Sequence, residues 1–302
     1  MKNAPKLVNR NTPGTFHTFF AEDEEAQRLY ELYFLKISIT DCNYWSSSNI
    51  LVKLPITNVM AAKAVAVIAG VGPGTGASIA RRFAQKYPVA LLARNPKNYE
   101  GVVDDISKGG GKAVGFSADV SDASSINRAF AEIDKAFPGS LLAAAVYNVG
   151  GGLSVKPFLE LTEDEFTQGF KTNGLGGFHF SQAAIPRLQK ATELELPPTL
   201  IFTGATASLK ASAKFSSFAS GKFALRAVAQ SLAREFGPQG IHVCHAIVDG
   251  VIDIERTSHI QFGSPDSKLN PDAIAETYWH LHSQPRTTFT HEIDLRPYVE
   301  KW

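Results

Sequence analysis

Cysteine is nearly absent: Cys42 and Cys244 are the two in 302 residues. Two isolated cysteines exclude a disulfide-dense scaffold and offer no zinc-binding spacing; they suit a reducing compartment. Long apolar runs are also missing, and none nears the roughly 20 residues that a membrane-spanning helix needs. Charge of one sign is not in excess. The formal net charge is +1, so no global field draws the chain to nucleic acid or to an anionic membrane. No repeat or low-complexity tract occurs. The opening MKNAPKLVNRNTPG lacks the apolar core of a secretory signal, and the acidic AEDEE at 21–25 is unlike a mitochondrial transit peptide. A cytoplasmic location is the expectation. What remains is a composition 44% hydrophobic and 20% charged, that of a soluble globular protein with enough chain for a sizeable core.

Residues 1–59 read differently from the rest. They hold polar stretches and one short helical pattern around Glu24 to Leu35. The expectation is a poorly structured or artefactual N-terminal extension, with a regulatory or oligomerisation arm as the alternative. Met60 then opens a domain running to residue 302. AVAVIA (64–69), VALLA (89–93), AVGFSA (113–118), LLAAAVYN (141–148), TLIFTG (199–204) and HVCHAIV (242–248) are short apolar runs that read as buried strands. FTHEIDL (289–295) reads as a last strand. Between them lie helical patterns. Ile79, Ala80, Phe83 and Ala84 share one face; Ser121 is a candidate cap for a helix carrying Ile126, Phe130, Ile133 and Phe137. Thr162-Glu-Asp-Glu165 is a capping-box pattern for a long helix to Leu188. Ala224, Leu225, Val228, Ala229, Leu232 and Phe236 form a stripe on another helix from Phe218, and Pro271 to Leu281 reads as a helix. Strands that do not alternate, joined by helices, predict an α/β fold: a doubly wound parallel sheet in three layers, helices on both faces.

The first strand runs into Gly70-Val-Gly72-Pro-Gly74-Thr75-Gly76-Ala77. Two frames fit a phosphate-cradling turn: Gly70, Gly74 and Gly76, or Gly72, Gly74 and Ala77. The first glycine should follow the strand directly, which favours Gly70. In either frame backbone can approach a pyrophosphate at a helix N-terminus. After the second strand stands Arg94, where an acid would meet a free ribose 2′-hydroxyl. A guanidinium suits a 2′-phosphate, so NADP(H) is expected over NAD(H); a solvated surface arginine is the alternative.

Together these residues resemble the short-chain dehydrogenase/reductase family, over about Met60 to Gly250. The resemblance implies a Rossmann-type fold, a nicotinamide cofactor and an oxidoreductase. Gly70, Gly74, Thr75 and Gly76 match its cofactor loop. Asp119 matches the acid that contacts adenine, with Val120 beside it. Tyr147-Asn148-Val149-Gly150 stands where the family has Asn-Asn-Ala-Gly, which puts Asn148, Val149 and Gly150 along the cofactor. Asn173 matches the active-site asparagine that kinks a helix and holds a water; a plain helix-bending residue is the alternative. Lys222 matches the lysine that holds the nicotinamide ribose and lowers the pKa of a tyrosine phenol. Gly250 and the backbone of Ile252 match the segment near the nicotinamide amide. The resemblance also implies a homodimer or homotetramer paired through helices 162–188 and 218–236.

Two positions depart from that pattern. Phe218 stands four residues before Lys222, at the place of the tyrosine, and Ala205 stands at the place of the serine that hydrogen-bonds the substrate carbonyl. No tyrosine occurs between Tyr147 and Tyr278, so a shifted phenol is excluded. Thr206 and Ser208 are nearby hydroxyls. Asp249 is a candidate proton-transfer group, or a cap of the following turn. His280, His282 and His291 lack the spacing of a metal site and read as surface or packing residues. Two functions stay open: an NADP-dependent oxidoreductase of unknown small-molecule substrate with another proton source, or a catalytically inactive NADP(H)-binding sensor or scaffold.

Overall fold

The computed structural model describes residues 63–301. The extension 1–59, with its expected helix at 24–35, lies outside them. Seven parallel strands form one sheet: β1 (Ala64–Ala69), β2 (Val89–Ala93), β3 (Ala113–Ser117), β4 (Leu141–Tyr147), β5 (Thr199–Thr203), β6 (His242–Val248) and β7 (Glu292–Leu295). Their order is β3-β2-β1-β4-β5-β6-β7. The helices are α1 (Thr75–Ala84), α2 (Glu100–Lys108), α3 (Ala123–Ala136), α4 (Glu163–Phe170), α5 (Gly176–Leu188), α6 (Ser216–Phe236) and α7 (Pro271–His282). Two apolar clusters sandwich the sheet. Phe130 of α3, Phe180 of α5 and Leu225 of α6 pack on one face; Phe83 of α1, Ile106 of α2 and Tyr278 of α7 pack on the other. This is the three-layer Rossmann-type arrangement. The strand order reverses between β1 and β4, and in such sheets ligands bind at the carboxyl ends beside that reversal.

Local chemistry explains where the helices start. Thr162 and Glu165 make both bonds of a capping box at α4. The cap of α3 is Asp122, which accepts from Ser124 N. Ser121, expected there, instead donates its backbone N–H and its hydroxyl to Asp119 Oδ1. Asp119 and Asp122 sit on either side of Ser121, and the nearer turn claims its hydroxyl. The expected helix to Leu188 is interrupted: a π-helical turn, Lys171–Leu175, separates α4 from α5. Side-chain spacing alone does not reveal such an insertion, because it shifts the period by one residue. Among the described residues no helix is long and apolar enough to cross a membrane.

Three buried histidines tie the sheet to its surroundings. Thr199 donates its hydroxyl to Pro197 O, so His282 Nδ1, 2.9 Å from Thr199 Oγ1, must be the donor. His282 Nε2 then accepts from the Tyr87 hydroxyl at 2.9 Å. The ring is neutral and fully used. Burial pushes its imidazole down to about 4. Burial does the same for His245, also to about 4, against the Glu292 carboxylate that pulls the other way. His242 is lowered as well, again by burial. These folded values lie below the ordinary 6.5, so the stability they carry is full above about pH 6.5 and is lost as pH falls toward 4. Each deeply shifted ring can contribute about 3 kcal/mol at that limit. Denaturant melts from about pH 7 to 4 should show this loss, and His282→Asn should flatten part of the slope. A slope unchanged by the substitution would assign the acid sensitivity elsewhere.

Candidate active site

β1 ends at Ala69, and the chain turns at once. Gly70 has φ +82°, and a Cβ there would sit 2.4 Å from Asn148 O; a Cβ at Gly76 would sit 2.5 Å from Gly70 O. No side chain fits either place. At Gly72 and Gly150 a Cβ would meet nothing within 4 Å, because both border open cleft. Backbone therefore requires glycine at Gly70 and Gly76, the two positions peculiar to the first frame. α1 begins at Thr75 with Gly74 as its cap. No side chain caps it, and no acidic residue stands in its first turn. Such a start presents backbone N–H groups to an anion.

A cleft of about 1060 Å³ opens at the carboxyl ends of β1, β4, β5 and β6. The structure places Gly70, Gly74, Thr75, Gly76, Asn148, Val149, Gly150, Ala205, Phe218, Lys222, Gly250 and Ile252 along it. Arg94, Asp119 and Val120 line a smaller adjoining cleft of about 150 Å³. Gly70, Asn98, Val149 and Gly150 border both. Asn98 was not singled out from sequence. It lies on a short 3₁₀ turn after β2 and carries no motif. Ile254 was also missed: its side chain covers Gly74, 2.9 Å from where a Cβ would be. Burial pushes the Asp119 carboxyl up, but two bonds from Ser121 and the nearby Arg94 charge outweigh it and hold the group below its ordinary value.

A string of bonds fixes the floor of the cleft. The Tyr278 hydroxyl, on α7, lies 2.8 Å from Thr203 Oγ1. Thr203 donates to Asn148 Oδ1 at 3.0 Å, so the Tyr278 hydroxyl is the donor in that first pair. Asn148 Nδ2 donates in turn to Gly70 O at 3.3 Å. Lys222 Nζ donates to Thr203 O at 2.8 Å and lies 5.7 Å from the centre of the Phe218 ring. Burial pushes the lysine down to about 8. Ala205 brings only a methyl group, and its N–H is taken by the Ser208 hydroxyl, so Ser208 faces the loop and not the cleft. Thr206 does line the cleft, but its hydroxyl donates to Asp249 Oδ1. Asp249 Oδ2 is 3.0 Å from Arg296. Asp249 is 6% exposed, does not line the cleft, and turns its carboxylate to Thr206 and Arg296. That geometry suits neither a free proton carrier nor a turn cap.

Asn173 is fully buried and lines neither cleft. Its Nδ2 donates to Gly169 O at 2.9 Å and to Gly151 O at 3.2 Å, satisfying carbonyls around the π turn. Its Oδ1 has no partner among the described residues. The turn frees a second carbonyl, Thr172 O, which accepts from the Tyr147 hydroxyl at 2.5 Å. Tyr147 thus fills and hydrogen-bonds the kink from the sheet side. The three tail histidines hold no metal cluster: among the described residues no group of three or more His, Cys, Asp or Glu is placed to bind one.

A sequence model described as short chain dehydrogenase matches residues 64–261. The chain belongs to the short-chain dehydrogenase family. Members differ widely in what they act on. The chain is 27% identical over 217 residues to an L-2,3-butanediol dehydrogenase of Corynebacterium glutamicum, covering 71% of this chain and 81% of that one. It is 29% identical over 206 residues to a 2,5-dichloro-2,5-cyclohexadiene-1,4-diol dehydrogenase of Sphingobium indicum, covering 68% and 79%. Among solved structures, a short-chain dehydrogenase from Rhodopseudomonas palustris matches at 32% identity and TM-score 0.64, covering 78% of this chain and 99% of that one. An alcohol dehydrogenase from Thermococcus sibiricus, complexed with 5-hydroxy-NADP, matches at 26% identity and TM-score 0.69, covering 79% and 98%. This short-chain dehydrogenase shares its fold with the two solved structures. A nicotinamide dinucleotide fits its residues: two glycines open onto space a side chain would fill, a helix starts uncapped, and one buried cation stands on the wall.

Proposed function

We propose that this short-chain dehydrogenase is an NADP(H)-dependent reductase whose proton does not come from a tyrosine. The observation that carries the reading is the wall around Lys222. The lysine is buried and hydrogen-bonded at the cleft, while Phe218 and Ala205 present a ring and a methyl group where the family's hydroxyls are expected. Gly70, Gly74, Thr75 and Gly76 would hold the pyrophosphate, Asp119 and Val120 the adenine, and Lys222 the nicotinamide ribose. Bound cofactor supplies hydride. The chain's part is to orient an acceptor and exclude water from an apolar wall. That wall favours an unsaturated or conjugated carbonyl compound such as a quinone or enone, whose product anion is delocalised and leans less on a strong acid. Ketone reduction without the phenol would forfeit about 10²–10⁴-fold.

Arg94 and Asn98 on the smaller cleft support NADP(H) over NAD(H), as does the NADP-type ligand of the Thermococcus sibiricus relative. Losing a charge-assisted contact to phosphate costs about 1.5–3 kcal/mol. Arg94→Asp should therefore weaken NADPH binding by roughly ten- to hundredfold and leave NADH binding unchanged or tighter. Titration calorimetry with the two cofactors decides it, and equal losses for both would refute the assignment. A sensor or scaffold role rests on the same two residues, Ala205 and Phe218, and differs in outcome: NADPH binds and no quinone or enone is reduced. Exposed Phe166 and Phe170 on α4, Phe178 on α5 and Phe223 on α6 support pairing of two copies through these helices. Residues 1–59 are proposed as an appendage to the catalytic domain.

A further inference from the structure

Lys222 has hydrogen-bonding capacity that the protein does not use. It is 3% exposed yet forms part of the cleft wall. An ammonium carries three N–H donors. The Thr203 carbonyl takes one, the nicotinamide ribose that the lysine would hold takes a second, and one is left; among the described residues no second acceptor and no carboxylate meets it. Around it stand the Phe218 ring on its own helix and His245 on β6, which feels its charge. Behind that imidazole, Glu292 of β7 is already held by Arg226 of α6 at 2.8 Å and by His245 at 2.9 Å. The lysine is left without a counter-charge. Two hydroxyl protons on the wall are committed, Thr206 to Asp249 and Thr203 to Asn148; Thr75 stands at the start of α1, where the pyrophosphate would lie, and Ser212 is exposed to water. Lys210, Glu255 and Arg256 line the cleft from exposed positions, where water competes for them.

We infer that Lys222 is the proton donor of this site: its Nζ–H bond breaks as an O–H bond forms on the substrate oxygen, and the ammonium becomes a neutral amine. The inference rests on the reductase reading above. The substrate is reduced, the nicotinamide dinucleotide is oxidised, and a proton from solvent restores the ammonium. A buried amine without a counter-ion is at ease in its neutral form, because burial disfavours the charge. The same burial brings the group from 10.5 to about 8, near the pH at which general acid catalysis works best. Phe218 lines that side of the cleft with an apolar ring. A hydroxyl in its place would take over both the wall and the proton.

The test uses the full chain with ¹⁵N-labelled lysine. The Nζ resonance absent from Lys222→Arg is followed by NMR against pH, with and without NADPH. Alongside, NADPH oxidation by 9,10-phenanthrenequinone is measured from about pH 6 to 10 for wild type, Lys222→Arg and Lys222→Met, with NADPH affinity by calorimetry. The expected midpoint is near pH 8, and above it the wild-type kcat falls about tenfold per pH unit, as loss of one essential proton requires. Lys222→Arg keeps its charge, loses the alkaline limb, and at saturating NADPH is slower by about 10²-fold, the low end of a general acid's worth, because the quinone product anion is delocalised. A resonance titrating above about pH 10, the ordinary lysine range, overturns the inference on wild-type protein alone. So does an arginine variant that matches wild-type turnover, and in either case the reductase reading stands. Wild-type protein that fails to bind NADPH, or binds it and reduces no quinone, overturns the reductase reading and the proton donor with it.

Discussion

Ala205→Ser combined with Phe218→Tyr is expected to raise ketone reduction by about 10²–10⁴-fold, the usual worth of a positioned general acid. The argument is geometric. Phe218 already lines the cleft, so a hydroxyl added to its ring enters the space beside Lys222. Nζ lies 5.7 Å from the ring centre, close enough to favour the phenolate and so lower the phenol's pKa. Ala205 is on the same wall, and its hydroxyl would stand on the loop that leads into α6. The Thr203–Asn148–Gly70 string and the Lys222 bond to Thr203 O involve neither residue, so both changes leave the scaffold in place. The measurement is NADPH oxidation with ethyl acetoacetate for the two single variants and the double. The double should exceed both singles. No gain in the double variant would show that the acceptor binds elsewhere in the cleft.

The largest expected loss of stability comes from helix packing beneath the site. A Cβ at Gly221 would lie 2.2 Å from Gly169 O, and a Cβ at Gly169 would lie 2.1 Å from Ser217 O. Both clashes are with backbone, which cannot rotate away. α4 and α6 touch there along a seam of small residues. Gly221→Ala and Gly169→Ala should each cost about 1–3 kcal/mol or more, the usual penalty for overfilling a packed contact. That is far more than the gain in helix propensity of up to about 1 kcal/mol from replacing glycine. Gly72→Ala is the control. Its Cβ meets nothing, so stability should hold while NADPH affinity falls. Chemical denaturation of the three variants separates the cases, and a Gly221→Ala protein as stable as wild type would mean that the helices can move apart freely. The seam also holds Asn173, whose Cβ is 3.2 Å from the same added carbon, so loosening it should disturb the π turn.

Much of the fold was legible from local pattern. The runs 64–69, 89–93 and 242–248 became strands with those bounds, because β-branched and apolar residues ended by turn formers leave little choice. The capping box at Thr162 held for the same reason: its two bonds span three residues. What pattern could not show is contact between distant segments. Tyr147 reads as one more apolar strand residue, and its role at the Thr172 carbonyl depends on a kink 25 residues away. Thr206, Asp249 and Arg296 meet from three separate elements, so the claim of Arg296 on Asp249 could not be seen in DGVID. The expected strand 289–295 shortened to Glu292–Leu295; the residues before it serve His242 and His245 through Thr290 O and His291 O. At the site, the place of Gly70 directly after the strand marks a residue whose turn leaves no room for a Cβ. Asn98 was invisible, being a polar residue in a polar turn.

The division between scaffold and wall has a genetic side. The Gly70 turn, the Asn148 string and the buried lysine are held by one another; no hydrogen bond ties the side chain of Ala205 or Phe218 to them. In the genetic code alanine and serine codons differ by a single nucleotide, as do those of phenylalanine and tyrosine. Two such changes separate this chain from one that carries a phenol and a serine hydroxyl at these positions. The hydroxyls of the wall are thus separable from the bonds that hold the scaffold, and either can be gained without breaking one of them.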